Sequence, residues 1–203
     1  MEKNRLKTSF FNIIMYKRIC FIYTETTGLH QTNYPVSKKK LYTFARLVSL
    51  NYIIGYLKDN EFIQEKKVRK VAKPRCMYIP EETIEYHGIT QKIATSQGID
   101  PEIIINEFKE DLKSVNVIVS HNVDFHIKTI QAEAVRYNIS LDFSNYIIVD
   151  TINFYHSYGF TKLKELATKL SIKNISETNE NNIELIKNVF LKLYVKFQKS
   201  VKT

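Results

Sequence analysis

The apolar positions change period along this chain, from the alternation of strands toward the three-to-four spacing of helices. Ile19 to Tyr23 is a short apolar run between charge and a Thr-Thr-Gly turn, which predicts a buried strand. Residues 30–41 are polar, with Pro35 and a Lys38-Lys39-Lys40 run, and read as a surface loop. Phe44 to Leu57 is rich in β-branched and aromatic residues and predicts a second strand. Phe62 to Val71 predicts a third, paired antiparallel with it. Beyond Pro74 and Pro80 the helical period takes over. Glu81 to Tyr86 predicts a short helix, and Thr90 the cap of another with Ala94 near its end. Pro101 opens a longer helix to about Ser114, with Ile103, Ile104, Phe108 and Leu112 on one face. Val115 to Ser120 is a buried strand, and His121-Asn122 opens an amphipathic helix to about Tyr137. Tyr146 to Val149 is the last strand and leads into Asp150-Thr151. Leu163 to Leu170 predicts a helix, Asn174 to Asn182 a polar loop, and Ile183 to Phe197 a final amphipathic helix.

Strands that first pair locally and then alternate with helices define an α/β protein. Its mixed sheet has three antiparallel strands, then parallel strands, with helices on its flanks. No repeat or linker divides residues 17–198, which read as one domain after an N-terminal extension at 1–16. In that extension the apolar patch Phe10 to Met15 is too short for a signal segment or a membrane span. The chain therefore reads as soluble and intracellular (cytoplasmic or nuclear), with no membrane partner.

Composition adds a partner class. The 203 residues are 44% hydrophobic and 25% charged, ordinary for a globular protein, but the net charge is +9. That charge points to nucleic acid, DNA or RNA, as the leading partner. Heavy use of Lys, Ile and Asn fits an AT-rich genome, which accounts for part of the charge. Cys20 and Cys76 lie far apart without metal-ligand spacing, so neither a disulfide framework nor a zinc site is indicated.

Three segments carry chemistry. Phe21-Ile22-Tyr23-Thr24-Glu25-Thr26-Thr27-Gly28-Leu29 runs a strand into a glycine-ended turn bearing one carboxylate. It resembles the first motif of the DEDDh 3′–5′ exonucleases, the DnaQ-like and RNase T-like family of polymerase proofreading subunits. There the strand ends Asp-x-Glu-Thr-Thr-Gly-Leu, and Tyr23 stands at the Asp position. Val117 to His126 resembles the second motif, a strand followed by His-Asn-x-x-Phe-Asp. His121, Asn122 and Phe125 match, while His126 replaces the Asp. Asp124, two residues away on a helix, points about 200° elsewhere. His87-Gly88-Ile89-Thr90, Asp150-Thr151 and Leu163 to Ala167 resemble segments between the motifs, so the likeness covers about residues 17–194. The third motif, His-x-Ala-x-x-Asp, is set by the apolar face Ile183, Ile186, Val189, Phe190 and Leu193. That register puts Asn182 at the Asp and Glu177 at the general-base His.

The resemblance implies a ribonuclease H-like fold and hydrolysis of phosphodiesters by two divalent metals on four carboxylates, with a histidine base. Hard cations need charged oxygen ligands. Of the acidic ligands only Glu25 remains, and Tyr23, His126, Asn182 and Glu177 are replacements. The resemblance thus implies a catalytically degenerate protein with no cofactor, or Mg²⁺ or Mn²⁺ where activity persists. It also implies that Thr26, Thr27, Leu29, His87, His121, Asn122 and Phe125 still contact a strand or its 3′ end. Two alternatives stay open: a protein-interaction scaffold with a replication protein as partner, and a nuclease with a rearranged site in which Glu25 and His126 hold one softer ion.

Overall fold

The computed structural model describes residues 17–59, 61–153, 161–173 and 181–201. Five strands form one sheet: β1 (Arg18–Thr26), β2 (Leu47–Lys58), β3 (Glu61–Val71), β4 (Val117–Ser120) and β5 (Ile147–Asp150). Their order is β3-β2-β1-β4-β5, with β1 to β3 antiparallel and β4 and β5 parallel to β1. This is the predicted architecture.

β1 is central because both of its faces are apolar. Cys20 and Ile22 pack with Leu50, Tyr52 and Ile54 beneath helices α3 (Pro101–Leu112) and α4 (Val123–Arg136). Ile19 and Phe21 face the other way, with Ile53 and Leu57, against α6 (Asn182–Val201). Phe21 meets Phe190 of α6 edge-on at 5.4 Å between ring centres. Truncating a buried ring of this kind costs about 3–5 kcal/mol. The shorter helices are α1 (Glu81–His87), α2 (Gln91–Gln97) and α5 (Leu163–Lys169). Thr90 caps α2 as expected, its hydroxyl accepting the Ile93 N–H at 3.1 Å.

Two readings need correction. Ile103 is not on the packed face of α3. It is 50% exposed, and Ile105 is buried in its stead with Ile104, Phe108 and Leu112. At 100° per residue Ile105 and Leu112 are aligned, whereas Ile103 is turned about 200° from Ile105. β2 begins at Leu47, not Phe44, because residues 38–43 form a 3-10 turn whose exit leads Phe44 into a loop.

Two register shifts shape the sheet. Between Glu25 and Thr26 the pairing skips Val48 of β2, so the end of β1 bends where the first motif begins. The second falls at Gly55, where a Cβ would sit 2.1 Å from the Ile63 carbonyl oxygen and 2.6 Å from the Phe62 ring. No helix among the described residues is long and apolar enough to cross a membrane.

Candidate functional site

The site forms where β1, β4 and β5 end together and where α4 and α6 begin. Tyr23 and Glu25 lie two residues apart on β1 and leave the same face of the sheet, toward α6. Thr24 lies between them and points to the α4 side. β4 pairs with β1 only as far as Phe21–Val119, so the Thr24 N–H beyond that point has no strand partner. His126 supplies the acceptor. Its Nδ1 takes the Thr24 N–H at 3.1 Å and lies 2.8 Å from the Thr24 hydroxyl.

That bond fixes the tautomer, because Nδ1 must be unprotonated to accept a backbone N–H. Nε2 then carries the proton, and the His121 backbone acts on the ring from that side. The ring is buried, and that burial pushes its pKa down to about 3, so His126 is neutral. Its ring centre lies 5.0 Å from that of Tyr23.

Across the sheet, Ile183, Ile186, Val189, Phe190 and Leu193 of α6 are all buried. Their packing brings Asn182, itself buried, over the end of β1. Asn182 Nδ2 donates to the Tyr23 hydroxyl at 2.9 Å. The Glu25 carboxylate lies on the same face and interacts with this hydroxyl. Burial first, then the Glu25 charge, raises the phenol far above its ordinary range, so it stays protonated. Burial also raises Glu25 to about 7, although the Tyr23 hydroxyl and the charge of Arg69 oppose the shift.

The entrance to α4 is tied to β5. The Asp150 carboxylate accepts the N–H groups of Asn122 at 3.0 Å and Val123 at 2.9 Å. Negative charge at a helix N-terminus also complements its dipole. Asn122 takes a left-handed conformation at φ 63°. His121 Nδ1 lies 2.8 Å from the Thr151 hydroxyl, and Nε2–H donates to the Thr161 carbonyl at 2.9 Å. Asp150-Thr151 thus acts as the brace for the second motif.

The other predicted residues are spread around this centre. Gly28 sits at φ 144°, a conformation that favours glycine, and the Thr26 hydroxyl donates to its carbonyl at 2.7 Å. Thr27 binds Arg46 through its backbone N–H and its hydroxyl. Leu29 is 83% exposed. Phe125 stacks on His30 at 4.5 Å. His87 is buried at the end of α1, with Nδ1 accepting the Ile89 N–H and Nε2 unpaired. Glu177 lies outside the described residues.

Sequence reasoning passed over one cluster. Glu133 is 1% exposed, and its Oε1 accepts from Arg46 Nε at 2.9 Å, Leu47 N–H at 3.0 Å and Arg136 Nη1 at 3.0 Å. The signal was present: Glu133 lies seven residues from His126, on the apolar stripe of α4, where a charge needs a partner.

The donor set can be tested against the two divalent cations that the motifs imply. One carboxylate, one phenol, one amide and one imidazole whose Nδ1 is engaged by Thr24 do not supply the charged oxygens such ions require. Asp124 does not help, since it turns outward to pair with Lys128 at 2.6 Å. Among the described residues no three His, Cys, Asp or Glu side chains come together as a metal-binding group. The described residues do not fit a two-metal centre.

Sheet order, flanking helices and motif positions together define a ribonuclease H-like nuclease fold. The family model described as exonuclease (RNase T) matches residues 21–177, and the chain belongs to this family, the DEDDh, DnaQ-like 3′–5′ exonucleases. Among solved structures it is similar to exonuclease I from Methylocaldum szegediense, with a TM-score of 0.70 and 16% identity over 91% of this chain and 42% of that one. A product-bound exonuclease I gives a TM-score of 0.67 and 15% identity over 91% and 45% of the two chains. E. coli exonuclease I in complex with a dA16 oligonucleotide gives 0.67 and 14% over 91% and 42%. The chain thus spans less than half the length of these exonuclease I chains. Comparison with curated proteins found no match.

Proposed function

We propose that this protein uses the exonuclease fold to bind single-stranded nucleic acid or a 3′ end without efficient cleavage. The observation that carries the reading is the bond between Asn182 and Tyr23. Both positions align with metal-binding carboxylates of the family. Here they hold neutral groups bonded to each other, and His126 at a third such position is bonded to the strand backbone. Glu25, the remaining acid, is raised by burial to about 7, so it carries only part of its charge at neutral pH. In two-metal hydrolysis the ions supply much of the barrier reduction. A centre whose described residues lack the donors for them favours binding over turnover.

Binding is supported by the net charge of +9 and by the retained turn Thr26 to Leu29, whose next residue, His30, stacks on Phe125. A neighbour of the same fold was solved with a dA16 oligonucleotide. Another exonuclease I structure contains SSB, which favours a replication protein as a second class of partner. The binding test is fluorescence anisotropy with labelled single-stranded DNA and RNA over a salt series. Affinity should fall as salt rises; absent or salt-independent binding contradicts the reading. A partner retained in a pull-down after nuclease treatment would move the assignment to the scaffold.

A further inference from the structure

The loop between β1 and β2 carries chemistry that the site itself does not use. Leu29, Tyr34 and Tyr42 are 83%, 65% and 81% exposed, and Lys38, Lys39 and Lys40 stand exposed between the two tyrosines. Large apolar side chains gathered on one exposed loop mark an interaction surface more often than chance scatter does. The loop is also held in place. Gln31 N–H donates to the Thr43 carbonyl at 2.8 Å, and Arg136 Nη2 donates to the carbonyls of Leu41 at 2.7 Å and Phe44 at 2.9 Å. Lys128 reaches the Asn33 carbonyl at 3.0 Å, and the buried Glu133 fixes Arg136 and Arg46 from below. The aromatic rings are therefore presented on an ordered frame, which lowers the entropy lost on binding.

Leu29 and Tyr42 border a cleft of about 360 Å³, whose other walls include Thr27, Thr43, Arg46 and Arg136. This is at the small end of ligand sites, the scale of a single nucleotide. The Lys40 ammonium lies 4.0 Å above the Tyr34 ring, beside the other two lysines. Aromatic faces interleaved with cations match the two repeating features of a single strand, flat bases and phosphates. An acidic peptide would use the lysines but leave the ring-flanked cleft without a planar occupant.

We propose that this loop is a stacking platform for single-stranded nucleic acid. One base enters the cleft between Leu29 and Tyr42, and Lys38 to Lys40 contact the adjoining phosphates. The proposal rests on the nucleic-acid reading above and adds the course of the strand beyond the Thr26–Leu29 turn.

The test compares a three-nucleotide and a twelve-nucleotide oligothymidylate on the full chain by anisotropy. Tyr42→Ala should weaken the longer strand about fivefold or more, the lower range for loss of one stacked base, and leave the shorter one within twofold. Lys39→Ala with Lys40→Ala should lower the slope of log affinity against log salt by about 1.4, two phosphate contacts' worth. Unchanged affinity and slope in both variants, with the longer strand still bound by wild type, overturns the platform alone. Failure of wild type to bind either strand overturns the nucleic-acid reading and the platform with it. Displacement of the longer strand by polyglutamate at equal charge concentration would reduce the surface to a polyanion patch and also overturn the stacking claim. A photocrosslink from 4-thiothymine to Tyr42, located by mass spectrometry, is the expected positive mark.

Discussion

Asn182 donates a hydrogen bond to the Tyr23 hydroxyl across 2.9 Å, joining the first residue of α6 to β1 over 159 positions of sequence. The two residues are substitutions that make sense together. An amide at 182 without the phenol loses its acceptor, and a phenol at 23 without the amide loses its donor.

This pairing predicts coupled stabilities. Tyr23→Phe and Asn182→Ala should each cost about 1–3 kcal/mol, since each leaves a buried polar group unpaired. The double variant should cost less than the sum, with a coupling of about 0.5–1.5 kcal/mol. Urea midpoints at unchanged m-value measure it. Strict additivity would mean that the bond contributes nothing.

Stability against pH should separate Glu25 from His126. His126 is depressed from 6.5 to about 3, so the native state binds fewer protons than the unfolded one. Its contribution is present above pH 6.5 and lost as pH falls toward 3. Glu25 is raised from 4.5 to about 7, so its contribution is full below pH 4.5 and lost as pH rises through 7. The two slopes oppose each other between pH 4.5 and 6.5. Replacing Glu25 by Gln should remove one of them. The variant should gain on wild type as pH rises from 5 to 8, by about 2–4 kcal/mol at the top. A constant difference across that range would mean that Glu25 is already ionised at pH 5.

Glu133→Ala should be the costliest polar substitution in α4, about 3–5 kcal/mol, because it strands two arginines and the Leu47 N–H. Hydrogen exchange in residues 41–47 should rise with it, since Arg136 would lose the partner that holds it on the loop carbonyls. Protection unchanged in that segment would separate the ion cluster from the loop.

Cutting the brace should loosen the second motif without touching the sheet. Asp150→Ala removes the acceptor of the Asn122, Val123 and Ile152 N–H groups. The expected loss is about 1–2 kcal/mol, as for a strong helix cap. The His121 imidazole resonances should shift, because Asp150 adjoins Thr151. Loss of stability with unchanged His121 signals would confine the effect to the helix end.

Much of this was legible in the sequence for definite reasons. The apolar run Ile19 to Tyr23 announced a strand buried on both sides, and β1 is the centre of the sheet. The face Ile183 to Leu193 set the phase of α6 and so brought Asn182 over Tyr23. Periodicity failed where neighbouring residues were alike: it could not choose between Ile103 and Ile105 in a run of three isoleucines. Propensity failed at Phe44, whose aromatic side chain suits a strand or a buried loop equally, and the loop is held by Arg136, distant in sequence. His30 and Glu133 were invisible because their partners, Phe125 and Arg46, are assembled only by the fold.

The central claim is that a bound strand is not efficiently cut. The direct measurement is a single-turnover assay with protein in excess over DNA or RNA strands labelled so that stepwise 3′ shortening can be read. Concentrations are set by anisotropy so that the strand is saturated, and Mg²⁺ or Mn²⁺ is added. The account predicts full-length strand throughout, still bound. A ladder of 3′-shortened products that disappears in Glu25→Ala would contradict it and assign a working nuclease to this centre.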